Sequence, residues 1–423
     1  MESEPVKIGI QTWGSEGDVR PFLALAAGLK SGGHEVTLVV TDVTDKDHSV
    51  RGANFGVAVI RAGRISPDQV TRTGEALVGE TNILRQVNRI LRDLFEPAAP
   101  DMLREAKRLC RESDLVVGHF LCYPLRIAAE LAGKPHVAVF LAPMLPSSSH
   151  PPPGVPALGR TLNALLWKIG GIVMNRMFLP RINTMRRAGG LPPLGDVTGQ
   201  AYLSPRLNLV ASSPSLFPTP PDWNETIQQC GSFHLPEHGE QPQLPEQLRR
   251  FLAAGPPPVF MTFGSMSAAD PSSGDTLRLF REAARLADCR AIIQTGGAPA
   301  GPERSDVLYL QQVEHHLAFR QCAAVVHHGG AGTSHASSRA GCPSIVVEHA
   351  TDQAFWGGVL HRAGVAPRLL HRRTVTADIL ARAIRSVLAS SAMREKARAV
   401  GESMRRENGV KRAVELIENQ RWV

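Results

Sequence analysis

The sequence predicts an α/β protein of two doubly wound domains that face each other across a cleft. Its 423 residues suit two domains of about 200 residues each. In both halves, short apolar strands alternate with helical segments, which is typical of parallel sheets covered by helices. Ten prolines between Pro214 and Pro258 interrupt this alternation and predict a linker. Ligands bind beyond the carboxyl ends of parallel strands, so two facing halves place a site between them.

The first half begins with a strand over Val6–Ile10, a glycine-rich turn and a helix over Val19–Leu29. Pro21 falls in the first turn of that helix, where proline is tolerated. Further strands and helices are predicted at His34–Thr41, Val57–Ile60, Asp114–Val117, Pro124–Leu131, His136–Phe140 and Asn163–Arg187.

The second half repeats the pattern after the linker. Strands are predicted at Val259–Phe263, Arg290–Gln294, Val307–Leu310, Ala324–His327 and Ser344–Val347. Helices are predicted at Asp275–Leu286, Gly332–Ala340, Gln353–Ala363 and Thr376–Leu388, followed by a charged helical tail at Met393–Gln420. The expected boundaries are a first domain at 1–220, a linker at 221–258, a second domain at 259–400, and a C-terminal helix within 401–423 that packs back on the first domain.

Composition excludes several classes. The net charge is +8, but the cations are dispersed and aromatic residues make up only 5%, so a nucleic-acid binder is disfavoured. Six cysteines form no C-x-x-C pair or zinc spacing, and the acidic N-terminus lacks the features of a signal peptide. We therefore expect a cytoplasmic protein in a reducing compartment.

One apolar segment raises the question of membranes. Leu162–Pro180 contains Lys168, Asn175 and Arg176, so it falls short of a transmembrane span. The longer range Leu162–Arg187 is amphipathic and basic, which leaves open a weak peripheral membrane contact. A core helix with a solvated basic face is the favoured interpretation.

The strongest local signal runs from Val325 to Ser334, where an apolar strand ends in two histidines and small residues open a helix. The first N–H groups of a helix lack internal partners and, with the helix dipole, attract an anion. A tight turn that binds nothing explains the glycines equally well, but the paired histidines favour phosphate. The P-loop motif and the dinucleotide fingerprint are both absent, so NAD is disfavoured.

Two further strand ends carry polar residues. Asp352 and Gln353 follow the strand at Ser344–Val347 and have the hydrogen-bonding groups that vicinal sugar hydroxyls need. Their alternative role is to cap a helix. Ser265 ends the strand at Val259–Phe263, where it donates to phosphate or forms an ordinary turn.

Together these segments resemble the inverting, nucleotide-sugar-dependent glycosyltransferases of family 1, which have the GT-B fold. The resemblance covers nearly the whole chain and is nearest to sterol and lipid glucosyltransferases and bacterial natural-product enzymes. It rests on Gly14–Pro21, Pro221–Trp223, Gly231–Phe233, Thr262–Met266, Gln312–His315, His327–Thr333 and Asp352–Gln353.

The resemblance implies roles for these residues in binding the donor, expected to be UDP-glucose. His327 and the backbone of Gly330, Ala331, Gly332 and Thr333 would contact the diphosphate, beside Ser265. Val313 and His315 would border the uracil, and Asp352 and Gln353 would hold the sugar. Two departures, Glu314 for proline and Glu348–Thr351 for Pro-Phe-Phe-Gly, lie beside these positions.

Asp18 is the expected catalytic base: it follows the first strand and faces the cleft, and the resemblance implies the role of base for the residue at this position. Its alternative role is to cap the helix predicted from Val19, and the two roles are compatible. His119 is a second candidate, although a polar lining of the acceptor pocket is favoured for it. We expect no cofactor and no metal, since Asp45 and Asp47 are typical of a solvated loop and are distant from the phosphate motif.

The acceptor is expected to be lipophilic and to bind the first half, at Trp13, His119, Phe120 and Met144. The predicted function is therefore metal-independent, inverting transfer of a sugar to a hydroxyl of a sterol, macrolide or other natural product. A non-catalytic relative that binds nucleotide sugar and an epimerase of the same fold are the alternatives. UDP and TDP are not separated by the sequence, and the oligomeric state stays undetermined.

Overall fold

The computed structural model describes residues 5–77, 80, 82–153, 155, 158–235, 244–264, 273–295, 304–311, 313–349, 353–420 and 422. These residues form two parallel sheets, each covered by helices on both faces. The predicted fold class, two Rossmann-like α/β domains, is confirmed.

The first sheet has seven parallel strands. They are β1 (Lys7–Gly14), β2 (Glu35–Asp42), β3 (Ala58–Arg61), β4 (Leu115–His119), β5 (His136–Phe140), β6 (Leu207–Val210) and β7 (Ile227–Gln229). Their spatial order is β3-β2-β1-β4-β5-β6-β7. β1, an interior strand between β2 and β4, is almost wholly buried, as expected of a strand covered on both faces.

The helices of the first domain include three that the sequence pattern did not predict, between Ile60 and Asp114. The set is α1 (Glu16–Ser31), α2 (Ser49–Ala53), α3 (Pro67–Leu77), α4 (Ile83–Ile90), α5 (Glu96–Glu112), α6 (Tyr123–Leu131) and α7 (Arg160–Ala188). π-Helical turns lie at Leu91–Phe95 and Val197–Tyr202.

The second sheet has six parallel strands in the order β10-β9-β8-β11-β12-β13. They are β8 (Val259–Thr262), β9 (Ala291–Gln294), β10 (Val307–Leu310), β11 (Ala324–His327), β12 (Ser344–Glu348) and β13 (Leu370–His371). Its helices are α8 (Glu246–Ala253), α9 (Ser273–Ala287), α10 (His315–Ala318), α11 (Ala331–Ala340), α12 (Gln353–Arg362), α13 (Ala377–Ala389) and α14 (Ser391–Arg406).

The two sheets share one strand order. Counting each domain from its first strand, both run 3-2-1-4-5-6, so β4 occupies the place of β11 and β5 that of β12. Equivalent strand ends therefore meet at the same edge of each sheet, which allows the two halves of the cleft to be compared position by position.

The range 221–258, predicted as linker, contains regular structure. β7 pairs with β6 in the first sheet, whereas Leu248 of α8 is buried in the core of the second domain. Leu235 packs on the first domain and Leu244 packs on the second, and residues 236–243 lie outside the described part of the chain.

The C-terminal helix α15 (Gly409–Glu418) packs against α1 of the first domain. Val414 and Ile417 join the core there. The helices meet at Gly28, where a Cβ would lie 2.2 Å from Val410 Cγ1. His34 Nε2 and Glu418 Oε1, 3.2 Å apart, hold the end of the helix.

Candidate functional site

A cleft of about 2090 Å³ lies at the carboxyl ends of both sheets. The first domain contributes the turns after β1, β4 and β5, and the second contributes those after β8, β11 and β12. Parallel α/β sheets bind ligands at this edge. The arrangement places the predicted acceptor half and donor half around one space.

Asp18 lines this cleft at the start of α1. The helix begins at Glu16 with Ser15 as its N-cap, so Asp18 is the third helical residue and not the cap itself. Its Oδ2 accepts hydrogen bonds from the Ser15 N–H at 2.8 Å and the Ser15 hydroxyl at 3.2 Å. The carboxylate folds back over Gly14, where a Cβ would lie 2.3 Å from Oδ2. Gly14 therefore makes room for the carboxylate at the end of β1.

His327, predicted at the diphosphate, does not line the cleft. It is fully buried at the tip of β11, and its Nδ1 accepts the N–H of Gly329 at 3.1 Å. Burial lowers the pKa of His327 to about 3, so the ring is neutral. This histidine shapes the turn from inside, because it is the last residue of a strand covered on both faces.

His328 is the histidine that faces the cleft. Its ring lies between two glycines, since a Cβ on Gly330 would approach Nε2 to 2.4 Å and one on Gly264 would approach Cε1 to 3.0 Å. Its Nδ1 is buried and has no hydrogen-bond partner among the described residues. Burial, with a smaller contribution from His349 and His315, lowers its pKa to about 3. The sequence feature that could have identified His328 as the residue facing the cleft is its position, one residue beyond the predicted strand end at His327.

The N-terminus of α11 opens into the cleft beside His328. Gly330 is the N-cap, and Gly330, Ala331, Gly332 and Thr333 all line the cleft. The first intrahelical bond runs from the Ser334 N–H to the Gly330 carbonyl at 2.9 Å. The N–H groups of the three preceding residues therefore lie ahead of the helical ladder, in the arrangement that binds phosphate.

His315 lines the cleft further out, at the start of α10. Its ring stacks on Phe319 with centroids 4.7 Å apart, and its Nε2 lies 3.1 Å from Gln294 Oε1. Burial lowers the pKa of His315 to about 4. Val313 packs against the core behind it and not on the cleft. The two residues predicted to border the uracil thus differ, because His315 lines the cleft and Val313 does not.

An ion pair crosses the cleft at the same place. Arg20 on α1 lies 3.5 Å from Glu314 in the second domain, and both side chains are nearly half exposed. Glu314 is one of the departures from the resembling family, and nothing in the sequence indicated its partner. The pair joins α1 at the rim of the acceptor half to Glu314, the residue that precedes His315 at the start of α10.

Gln353 opens α12 and lines the cleft, with only 5% of its surface exposed. Its Oε1 accepts the N–H of His349 at 2.7 Å, which joins the start of α12 to the residue that follows β12. Ser265 and Asp352, the other predicted donor-binding residues, lie outside the described residues.

Of the residues predicted to bind the acceptor, His119, Phe120 and Met144 line the cleft, but Trp13 does not. Trp13 is buried in the core of the first domain, with its ring 4.7 Å from Phe95 in an edge-on contact. Side chains alternate across a strand, and the side chain of Trp13 packs on the face of β1 that α5 covers, whereas Ile8 and Ile10 pack on the face that α1 covers. Phe120 stacks on Phe140 at 4.7 Å.

His119 ends β4, and its Nδ1 accepts the N–H of Leu121 at 3.3 Å. Burial lowers the pKa of His119 to about 3, so the ring is neutral and its proton resides on Nε2. The residue is therefore a hydrogen-bond donor to the cleft. The sequence favoured a role in polar lining for His119 over that of a second base, and this role stays a prediction.

The rest of the acceptor side is apolar and comes largely from α7. Trp167, Met174 and Met177 line the cleft from one face of this helix. Tyr202 also lines it, and its buried hydroxyl has no hydrogen-bond partner among the described residues. An apolar lining of this kind suits a hydrophobic molecule.

A clamp formed by Asp222 and Trp223 holds the loop that follows β5. Asp222 accepts the Ser147 hydroxyl at 2.7 Å and the Ser148 N–H at 2.5 Å, and Trp223 Nε1 donates to the Pro146 carbonyl at 3.2 Å. Burial raises the pKa of Asp222, but these hydrogen bonds outweigh it and hold the pKa at about 2. The sequence singled out Pro221–Trp223 as part of the family resemblance but did not indicate this structural role.

Neither a metal centre nor a membrane span is present in the part of the chain that the structure describes. That part contains no group of three or more His, Cys, Asp or Glu side chains arranged to hold a metal ion. It also contains no helix that is long and apolar enough to cross a membrane.

Comparison with known proteins identifies similar sequences over nearly the whole chain. Residues 305–416 match the family described as erythromycin biosynthesis protein CIII-like, C-terminal domain. The chain is 31% identical to O-mycaminosyltylonolide 6-deoxyallosyltransferase of Streptomyces fradiae, over 98% of this chain and 97% of that protein. It is 27% identical to a sterol 3-beta-glucosyltransferase of Arabidopsis thaliana, over 97% of this chain and 68% of that protein.

Solved structures share the fold. The glycotransferase of kitacinnamycin superposes with a TM-score of 0.71 at 21% identity, covering 98% of this chain and 99% of that one. The glycosyltransferase VinC, crystallised in complex with dTDP, superposes with a TM-score of 0.65 at 19% identity, covering 97% and 98%.

Proposed function

The chain belongs to the family 1 glycosyltransferases of GT-B fold that act on natural products and sterols, and from that premise we propose a reaction. The protein transfers a sugar, with inversion and without a metal, from a nucleoside diphosphate sugar to a hydroxyl of a lipophilic acceptor. One observation carries the proposal: a carboxylate in the first domain and an open helix N-terminus in the second line the same cleft.

Asp18 acts as the general base in this proposal. It takes the proton from the acceptor hydroxyl as the acceptor oxygen attacks the anomeric carbon of the sugar. The bond from that carbon to the diphosphate oxygen breaks on the opposite face, so the configuration inverts. Proton transfer by a positioned carboxylate accounts for about 10²–10⁴-fold of the rate.

The second domain stabilises the leaving diphosphate. His328 donates a hydrogen bond from its neutral ring, and the N–H groups of Ala331, Gly332 and Thr333 provide a preorganised anion site. This arrangement replaces the charge that a divalent cation supplies in other enzymes, and supports metal-independent transfer.

UDP-glucose is the donor we propose. The sterol relative is named as a glucosyltransferase, which supports glucose. The dTDP in the VinC structure makes dTDP-glucose the competing donor. We place the reaction in the cytoplasm, a proposal supported by the six free cysteines.

A donor and acceptor screen tests this function. UDP-glucose and dTDP-glucose are each incubated with sterols, macrolides and flavonoids in the presence of EDTA. We expect a β-glucoside from the α-linked donor, identified by the anomeric coupling in NMR. Loss of transfer on chelation, or retention of configuration, would refute the mechanism. Tight nucleotide binding without turnover on any acceptor would instead indicate a non-catalytic relative.

A further inference from the structure

The outer face of α7 exposes a stripe of large apolar side chains. Leu162, Leu165, Ile169 and Ile172 are 47%, 51%, 49% and 53% exposed. Their spacing of three, four and three residues places them on one face of the helix. Among the described residues, six of the nine exposed large hydrophobic side chains lie between 155 and 172. The stripe is therefore a concentrated patch.

The first half of α7 differs from the favoured interpretation of a core helix with a solvated basic face, whereas Phe178 and Ile182 in the second half do pack in the core. The opposite face of α7, with Trp167, Met174 and Met177, lines the acceptor side of the cleft. α7 thus separates the acceptor side of the cleft from solvent, and both of these faces of the helix are apolar. Exposed apolar patches of this kind mark an interaction surface.

The segment that contains the stripe carries positive charges only, and the first acidic residue beyond it, Asp196, accepts a hydrogen bond from Asn175. Between Leu131 and Gly195 the sequence has no Asp or Glu. Lys168 is exposed beside the stripe, and Arg176, four residues beyond Ile172, is exposed along its continuation. A second copy of this face would bring these cations together, with no acidic residue from the segment to oppose them. An anionic lipid surface complements both the apolar stripe and the charge.

We propose that the outer face of α7 docks the protein on an anionic membrane. Leu162, Leu165, Ile169 and Ile172 insert at the level of the lipid headgroups, and Lys168 and Arg176 contact the lipid phosphates. Docking brings the acceptor side of the cleft to the bilayer. The surface is separate from the transfer reaction, so vesicle binding tests it whatever the acceptor is.

Sedimentation with vesicles measures the docking. The full chain is mixed with vesicles of phosphatidylcholine or of an equimolar mixture with phosphatidylglycerol. We expect binding to the anionic vesicles. The double variant Leu165→Gln/Ile169→Gln should bind about tenfold or more weakly, since each apolar side chain contributes when buried. The matched control Val50→Gln/Leu131→Gln changes two exposed apolar residues elsewhere and should bind like the parent.

A second pair of variants tests the charge. Lys168→Gln/Arg176→Gln should lose several-fold in affinity for the anionic vesicles and little for neutral ones. Thermal melting and nucleoside diphosphate binding by calorimetry check that each variant is folded. Failure of the parent to bind anionic vesicles, or equal binding by the stripe variant, would overturn the proposal. So would a dimer in ultracentrifugation that the stripe variant dissociates, because it would assign the face to a second copy.

Discussion

The tips of β4 and β11 occupy the same place in the two sheets, and both end in a buried histidine. His119 accepts the N–H of Leu121, and His327 accepts the N–H of Gly329, in each case two residues further on. Burial holds the pKa of both rings at about 3. The two halves of the cleft therefore use one device to fix the turn after the fourth strand.

The three residues after the histidine differ between the halves. The first turn continues with Phe120, Leu121 and Cys122, which present apolar surface, whereas the second continues with His328, Gly329 and Gly330. Small residues expose the backbone N–H groups of a helix to an anion, and bulky ones cover them. The comparison shows the same strand-end histidine in both turns, followed by small residues in the second half, which suit the proposed donor site, and by larger ones in the first half, which suit the proposed acceptor site.

The largest expected effect tests whether the acceptor half contributes chemistry as well as binding. Asp18→Asn should lower kcat by about 10²–10⁴-fold, because the amide cannot accept the proton. Nucleoside diphosphate affinity, measured by calorimetry, should stay within about twofold.

The matched control is Ser15→Ala, which removes one hydrogen bond to Asp18 and leaves the carboxylate. It should cost less than about tenfold in kcat. Turnover by Asp18→Asn close to that of the parent would show that the acceptor half supplies shape alone.

The next effect separates the two adjacent histidines. His328→Ala should weaken nucleoside diphosphate binding by about tenfold or more, the loss expected for a hydrogen bond to a charged group. His327→Ala should instead lower the melting temperature, since it leaves a cavity and an unpaired Gly329 N–H. A variant of His327 with normal stability and weak nucleotide binding would reverse the assignment.

A smaller effect concerns the loop of the acceptor half. Asp222→Ala removes the acceptor of the hydrogen bonds from Ser147 and Ser148 and should raise the KM for the acceptor by several-fold. Donor affinity should not change, since both of these hydrogen bonds lie within the first domain. An equal loss for donor and acceptor would indicate a general loss of stability, which a melting curve would reveal.

The smallest expected effect concerns the ion pair between Arg20 and Glu314, which joins the two halves of the cleft. Arg20→Gln and Glu314→Gln should each change the KM for the donor by less than about fivefold, because an exposed ion pair contributes about 1 kcal/mol or less. The effect should fall as salt rises. A double-mutant cycle measures the coupling directly, and additive effects at low salt would show that the pair does not link the domains.

The sequence predicted the donor half in more detail than the acceptor half, for a physical reason. A phosphate site built on backbone N–H groups occupies consecutive residues, so Gly330–Thr333 were visible as a motif. The acceptor side is assembled from separate elements, such as Met144 after β5 and Met177 on α7. Periodicity cannot show which face of α7 meets the cleft, and alternation along β1 did not show that Trp13 packs into the core.

The pair His327 and His328 illustrates the limit of reading a motif. Both residues are of a type that suits phosphate, and the predicted strand end at His327 does not show whether that side chain points into the core or at the cleft. The structure separates them because one more residue carries the chain from a covered sheet onto an open turn.

The return of α15 to the first domain has a consequence for the order in which the protein folds. A ribosome releases residues 1–235 first, yet their core also contains Ala413, Val414 and Ile417. The core of the first domain therefore stays incomplete, with the groove along α1 uncovered, until the whole second domain has been synthesised. The final helix then closes the structure, so that the domain begun first is the last to be completed.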